Sequence, residues 1–298
     1  MNPTTIQILF TLEDTLLFSI VTIGVFVSFR VLKFPDLTAE GSVGLSAVVG
    51  GLVALRFGSP VLGLLACVAT GSLAGAVTAL LANLARLPTI LASILTMTMC
   101  ISVGLLIAGQ PSLRLPDIWV FERFTPFISS HIALGLVGGV LILSLITAGL
   151  LVLYHTGIGF LLRTRGENPQ LARELNRSLL VWDLIGLGLV NGIVGLAAAL
   201  LSQRAGYASI KMGNGMAISA LAAMLLGEAL FFNRTLPQAL VGCVLGTLIL
   251  RLVRLLALNM GMPDGSLDLV TSSLVIVFYY VAKGRSLNAR APLENIRL

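Results

Sequence analysis

The sequence predicts an all-α polytopic membrane protein of about nine transmembrane helices, within a range of about eight to ten. Three observations carry that expectation. Of the 298 residues, 57% are hydrophobic and only 11% are charged, with a mean hydropathy of +1.00, whereas a soluble domain carries roughly a quarter charged residues. The apolar residues come in runs of about 20, the length that crosses a bilayer. Charge, glycine or proline bounds each run, and no stretch is left over for a soluble catalytic domain. Residues 1–298 are therefore expected to form a single transmembrane domain.

Taken in order, the runs place helices at 14–32, 41–57, 60–85, 89–109, 131–154, 179–203, 213–232, 236–259 and 266–282. The start, Met1 to Thr5, has no basic leader and the first run continues at full length, so insertion by the chain's own helices is expected rather than a cleaved signal. Between the fourth and fifth runs, 110–130 is Pro-rich and holds Asp117, Trp119 and Glu122, which reads as an extracytoplasmic loop with an interfacial aromatic. Cys67, Cys100 and Cys243 lie inside apolar runs without metal-ligand spacing and read as small core hydrophobes.

Between the fifth and sixth runs lies a polar, charge-dense island, Arg163 to Arg177. Asn168 is placed to cap a short helix with Pro169 at its first position, and Leu171 and Leu175 share one face. Gly166, Glu167, Ala172, Arg173 and Glu174 complete the surface. Its charges cannot be desolvated in lipid and it is too short to fold alone, so a coupling helix at 166–177 facing a cytosolic partner is expected. The bland reading of Glu167, Asn168, Arg173 and Glu174 is a solvated loop that only satisfies topology. With the island in the cytosol, a basic tail at 283–298 falls inside and, with nine spans, the N-terminus outside. Twelve of the 19 Lys and Arg residues then lie on the island's side, five lie opposite and two lie within a helix, which follows the positive-inside rule. That topology also accounts for the net charge of +6 without invoking nucleic acid.

Glycines at Gly41, Gly44, Gly50 and Gly51, and again from Gly206 to Gly215, interrupt or precede apolar helices in corresponding places of the two halves. Each is followed by a helix with a small-residue seam, Gly71 to Gly75 and Gly242 to Gly246. An inverted repeat with broken helices is expected from this order, although such seams also arise from helix packing alone.

Five charged positions are candidates for a pathway or gate. Asp36 and Glu40 stand at what reads as a cytosolic helix entrance, where they would cap the helix and pair with Arg30 or Lys33, or else act in gating. Arg251 and Arg254, three apart on one helical face, are intramembrane charges that would line the path, or pair with Asp264 or Asp268, or snorkel outward. Glu228 pairs with Arg234 on the bland reading and gates on the sharper one. Asn83, Ser93, Thr96, Thr98, Asn191 and Ser219 are polar at helical depths and read as packing contacts or pore lining.

The stretches Ser28 to Ser42, Gly166 to Asn176, Leu225 to Phe231 and Met262 to Thr271 resemble the permease subunits of ABC importers of the branched-chain amino acid and ribose type, nearest to a tryptophan- and tyrosine-type or uncharacterised subgroup. The resemblance implies a plasma (inner) membrane permease paired with a second copy or a close relative. It also implies two ATP-binding subunits docked through the island, an extracytoplasmic substrate-binding protein, and a small polar organic solute, an amino acid first among them. No Gly-x-x-x-x-Gly-Lys-Ser/Thr loop is present, so the chain is not expected to be an enzyme or to hold a cofactor; ATP and Mg belong to the partner. The rival is an ion- or proton-coupled secondary transporter, which places ionisable groups at the bilayer midplane, whereas most charges here read as lying at helix edges. A receptor or assembly scaffold is a second rival.

Overall fold

The structure is a computed structural model and describes residues 3–115, 120–121, 131–168, 171, 178–231, 235–267, 269–274 and 276–277. Among them, eight helices are long and apolar enough to cross a membrane. Helix α1 runs Pro3–Phe26 and continues as a π turn, Val27–Val31. Then come α2 (Thr38–Phe57), α3 (Pro60–Asn83) and α4 (Thr89–Ala108). They are followed by α5 (His131–Tyr154), the short α6 (Gly157–Glu167) and α7 (Leu179–Ala205). Helices α8 (Met216–Phe231) and α9 (Leu236–Asn259) precede a 3-10 turn at Asp264–Ser266. Residues 269–274 are helical where the ninth span is expected, and the tail at 283–298 lies outside the described residues.

Several boundaries differ from the sequence expectation, α2 beginning at Thr38 and not at 41, and two of the differences have a visible cause. Helix α1 begins at Pro3, not at 14, because Glu13 and Asp14, which end the apolar run, are met by Arg204 and Arg251 of other helices. Helix α8 begins at Met216, not at 213, because Ile210–Gly213 forms a 3-10 turn and Gly215 takes a left-handed φ of 70°.

Strands β1 (Ser112–Arg114) and β2 (Tyr207–Ser209) pair antiparallel, Leu113 opposite Ala208. The pair marks what is here called the upper face; α6 lies at the lower one. Helices α1 and α7 run antiparallel, with Glu13 on Arg204 at the top and Leu32 against Gly186 lower down. The order long helix, break, short helix, helix therefore appears twice with opposite direction, as an inverted repeat requires. Within each half a glycine lets the short helix meet the next one, Gly50 on Gly63 of α3 and Gly227 on Gly242 of α9. The two seams read from the sequence are not equivalent, however. Gly71 and Gly75 meet the Asn191 and Leu187 carbonyls of α7, across the halves, whereas Gly246 meets the Ala223 carbonyl of α8 within one half.

Helices α2 and α7 are the central ones, each with 72% of its apolar window buried, against 28% for α4 and 22% for α5. The peripheral helices present apolar faces outward, as a lipid solvent demands.

Candidate transport path and coupling site

The π turn ends α1, Lys33 reverses the chain with a φ of 49°, and Ser28 Oγ donates to the Phe34 carbonyl at 2.6 Å. Pro35 holds Phe34 extended and cannot continue a helix. The chain thus turns back into the bundle before α2 starts. Asn191 stands near the middle of the 27-residue α7, about 20 Å along the axis from either end. Its Nδ2 donates to Asp36 Oδ2 at 2.7 Å, and its Oδ1 accepts from Ser42 Oγ at 3.0 Å. Asp36 Oδ1 accepts from the Thr38 amide at 2.8 Å, which closes the start of α2, and the Thr38 and Thr78 hydroxyls share a hydrogen bond of 2.7 Å. Asp36, Thr38, Ser42, Thr78 and Asn191 are all at most 1% exposed.

Helix α2 therefore begins at mid-depth, not at a cytosolic entrance. Leu37 is the N-cap residue and Asp36 accepts from the first helical amide, that of Thr38, but the expected pairing with Arg30 or Lys33 is replaced. Asp36 is bound by Asn191 and Thr38, Arg30 is committed to Glu228, and Lys33 is exposed.

The carboxylate of Glu40 faces the amides of Gly215, Ala217 and Ile218 at the start of α8, the end of a helix that favours negative charge. Its Oε1 is buried without a hydrogen-bond partner among the described residues. A Cβ on Gly213 would stand 1.9 Å from the Glu40 carbonyl oxygen, and one on Gly44 2.1 Å from that of Ile210. With no side chains between them, residues 210–213 lie flat along α2 and bring the α8 N-terminus to the same depth. Lys211, Asn214 and Ile218 are exposed there. Non-helical backbone at such a depth is tolerated only against protein or a water-filled path.

At the lower face, Arg30 grips Glu228 with both prongs, Nε to Oε1 at 2.8 Å and Nη2 to Oε2. The expected partner, Arg234, lies outside the described residues. Thr156 caps α6 by accepting from the Gly159 amide at 3.3 Å. At the other end of α6, Arg165 forks onto Asp183, Nε to Oδ1 and Nη2 to Oδ2 at 2.8 Å, and Asn83 Nδ2 reaches the same Oδ2 at 2.9 Å. Asp183 is 2% exposed.

Of the expected coupling helix at 166–177, Gly166 and Glu167 form the last turn of α6. The Thr156 cap carries helical winding that far, and Asn168 then leaves the helix with φ −143° and ψ 87°. Asn168 Oδ1 accepts from the Leu171 amide at 3.1 Å, an N-cap contact, and Leu171 is exposed. Pro169, Ala172, Arg173, Glu174 and Leu175 lie outside the described residues.

At the upper face, Arg251 Nη1 meets Asp14 Oδ2 at 2.9 Å, its guanidinium 4.1 Å from the centre of the Phe18 ring. Arg204 meets Glu13 at 3.1 Å and Asp14 at 3.5 Å. Asp14 is a partner for Arg251 that spacing did not offer, because α9 packs on α1, where the Thr22 and Thr247 hydroxyls lie 3.0 Å apart; Asp268 and the side chain of Asp264 lie outside the described residues. Arg254, one turn further along α9, is partly buried. Sequence reasoning passed over Glu13, Asp14 and Asp183. For Asp183 the signal was present, a lone carboxylate early in an apolar span; for the other two only the fold supplies the partners.

Over residues 7–280 the chain matches the family described as branched-chain amino acid transport system / permease component. It is 28% identical over 268 residues to the tyrosine transport system permease protein of Clostridioides difficile (strain R20291), covering 90% of this chain and 88% of that one. It is 27% identical over 272 residues to the uncharacterized protein RP368 of Rickettsia prowazekii, covering 89% and 94%. Against the autoinducer 2 import system permease protein LsrC of Enterobacter sp. (strain 638), identity is 27% over 254 residues, covering 84% and 71%. No solved structure matches the chain. Membrane-crossing helices in an inverted repeat, two of them starting at mid-depth, together with a family match over most of its length, make the chain a member of the branched-chain amino acid transport permease family.

Proposed function

We propose that the chain is the membrane subunit of an ATP-driven importer that moves a small polar organic solute by alternating access. The observation that supports this best is the mid-depth meeting of α2 and α8 beside the 3-10 turn and the two turn residues that precede α8, where Lys211 and Asn214 are exposed. Lipid cannot cover that face, so a second permease copy meets it across a water-filled path. The printed names of the relatives speak of tyrosine transport and autoinducer 2 import, and an amino acid is the first substrate to try. Two ATP-binding subunits, which hold the ATP and Mg, dock at Asn168 to Asn176 on the lower, cytosolic face. A substrate-binding protein delivers to the upper face of this inner-membrane complex.

The test is purification in mild detergent from the protein's own cells, with mass spectrometry of what accompanies it and the mass of the complex to count copies. A P-loop ATPase and a binding protein in the complex are expected, and the small molecule on the binding protein names the substrate. A chain that purifies alone, and transports when reconstituted alone, overturns the reading.

Ion or proton coupling has one observation in its favour: Asp36 and Glu40, read from sequence at a helix entrance, lie at mid-depth. Uptake into ATP-loaded vesicles that survives a protonophore decides for ATP; uptake abolished by it decides for the proton.

A further inference from the structure

We propose that Arg165, Asp183 and Asn83 form the joint through which the docking segment after α6 moves the mid-depth junction. The inference rests on the docking reading above and adds the positioning residues that make docking effective.

Helix α6 leads straight into the Asn168 cap, so a force applied beyond Asn168 reaches the bundle through the ties that α6 makes. Two of those ties stand at its far end, where the Arg165 guanidinium also lies 5.8 Å from the centre of the Phe34 ring. The first is the fork of Arg165 on Asp183, which Asn83 completes from α3. Two parallel bonds fix an angle as well as a distance, whereas a single bond would let α6 swivel. Asp183 is 2% exposed, so water does not stand in for a lost partner. Three helices, α3, α6 and α7, thus converge on one carboxylate.

The second tie is backbone on backbone. A Cβ on Gly166 would stand 2.3 Å from the Val31 carbonyl oxygen and 3.0 Å from that of Leu32. The side chain of Leu32 fills the space beside Gly186 of α7, which Leu162 of α6 also lines. From Leu32 the chain passes through Phe34, bonded back to Ser28, to Asp36 and its partner Asn191. A displacement of α6 therefore reaches α7 twice, at Asp183 directly and at Asn191 by way of the break after α1. Held at two points, α6, α7 and the break move as one body, the condition for a local push to become a change of packing instead of a bent loop.

The reporter is Asn214→Cys on the exposed mid-depth stretch; the native Cys67, Cys100 and Cys243 are buried. Its labelling by a methanethiosulfonate reagent is followed in the full complex with the ATPase, with and without ATP plus vanadate. In that background nucleotide is expected to change the labelling rate. Arg165→Ala and Asp183→Asn are expected to lose the change with the ATPase still bound, and the reversed pair, Arg165→Asp with Asp183→Arg, to restore it. Should Arg165→Ala not fold, Arg165→Lys keeps the charge without the fork and carries the same expectation. A nucleotide response of full size in a single variant, or a folded reversed pair without one, overturns the joint. Failure of any ATPase to accompany the unsubstituted chain overturns the docking reading, and the joint with it. A bound ATPase whose nucleotide leaves Asn214→Cys labelling unchanged counts against the path and the joint alike.

Discussion

Asn191 makes both its carbonyl and its amide useful, bonding Ser42 on one side and Asp36 and the Leu187 carbonyl on the other. Asn191→Leu takes the Asn191 donor from Asp36 Oδ2 at mid-depth and leaves Ser42 with only the Ala39 carbonyl, which costs about 1–3 kcal/mol or more where charge is involved. A lower unfolding midpoint in detergent is expected, and an unchanged one would mean that water already serves those groups. Gly75 tests packing in the same assay. A Cβ there would stand 2.1 Å from the Leu187 carbonyl, backbone that cannot give way, so Gly75→Ala should cost about 1–3 kcal/mol by overpacking. At Gly149 nothing lies within 4 Å, and Gly149→Ala should be neutral or stabilising by up to about 1 kcal/mol through helix propensity. Arg251 is tied to Asp14 and laid over Phe18. Arg251→Gln is therefore expected to lower the unfolding midpoint while leaving uptake per folded molecule unchanged; lost uptake with normal stability would return Arg251 to the path.

At the scale of elements, apolar run length located the spans well because it is a local property. Helix α3 was expected at 60–85 and runs Pro60–Asn83, and α9 occupies 236–259 as expected. Apart from the start of α8, which a 3-10 turn displaces, the main errors fall where a distant residue decides. Glu13 and Asp14 look like the end of a span until Arg204 and Arg251 arrive from α7 and α9. Asp36 looks interfacial until Asn191 receives it at the middle of α7. The candidate charges were legible as positions but not in depth or pairing, since Asp36, Glu228 and Arg251 have partners that sequence spacing cannot show. The segment proposed to dock was legible as polar and capped by Asn168, and its first two residues, Gly166 and Glu167, lie in the last turn of α6. Leu171, exposed just past that cap, gives the element its own test. Leu171→Asp should abolish recovery of the ATPase with the permease without lowering the unfolding midpoint; undiminished recovery would remove the main support for docking there.

For the whole molecule, the inverted order of α1 to α3 and α7 to α9 gives the bundle two faces of different character. The upper face carries the β1 and β2 pair and the lower one carries α6. If the lower face is cytosolic, Ser112→Cys should react with a membrane-impermeant maleimide in intact cells and Glu167→Cys only after permeabilisation; the reverse pattern would invert the assigned topology. The π turn at Val27–Val31 bears on a different property of the chain. A π turn holds one residue more than the α-helical path it replaces, and here that surplus falls between the α1 contacts with Arg204 and Thr247 and the reversal at Lys33. Deleting one residue within 27–31 can be absorbed by rewinding the turn as α-helix, leaving Glu13 and Thr22 in phase with their partners. The same deletion anywhere between Glu13 and Thr22 rotates one partner away from the other by about 100°, one residue's turn of an α-helix. The π turn is thereby a place where α1 can lose a residue, and the stretch between Glu13 and Thr22 is not.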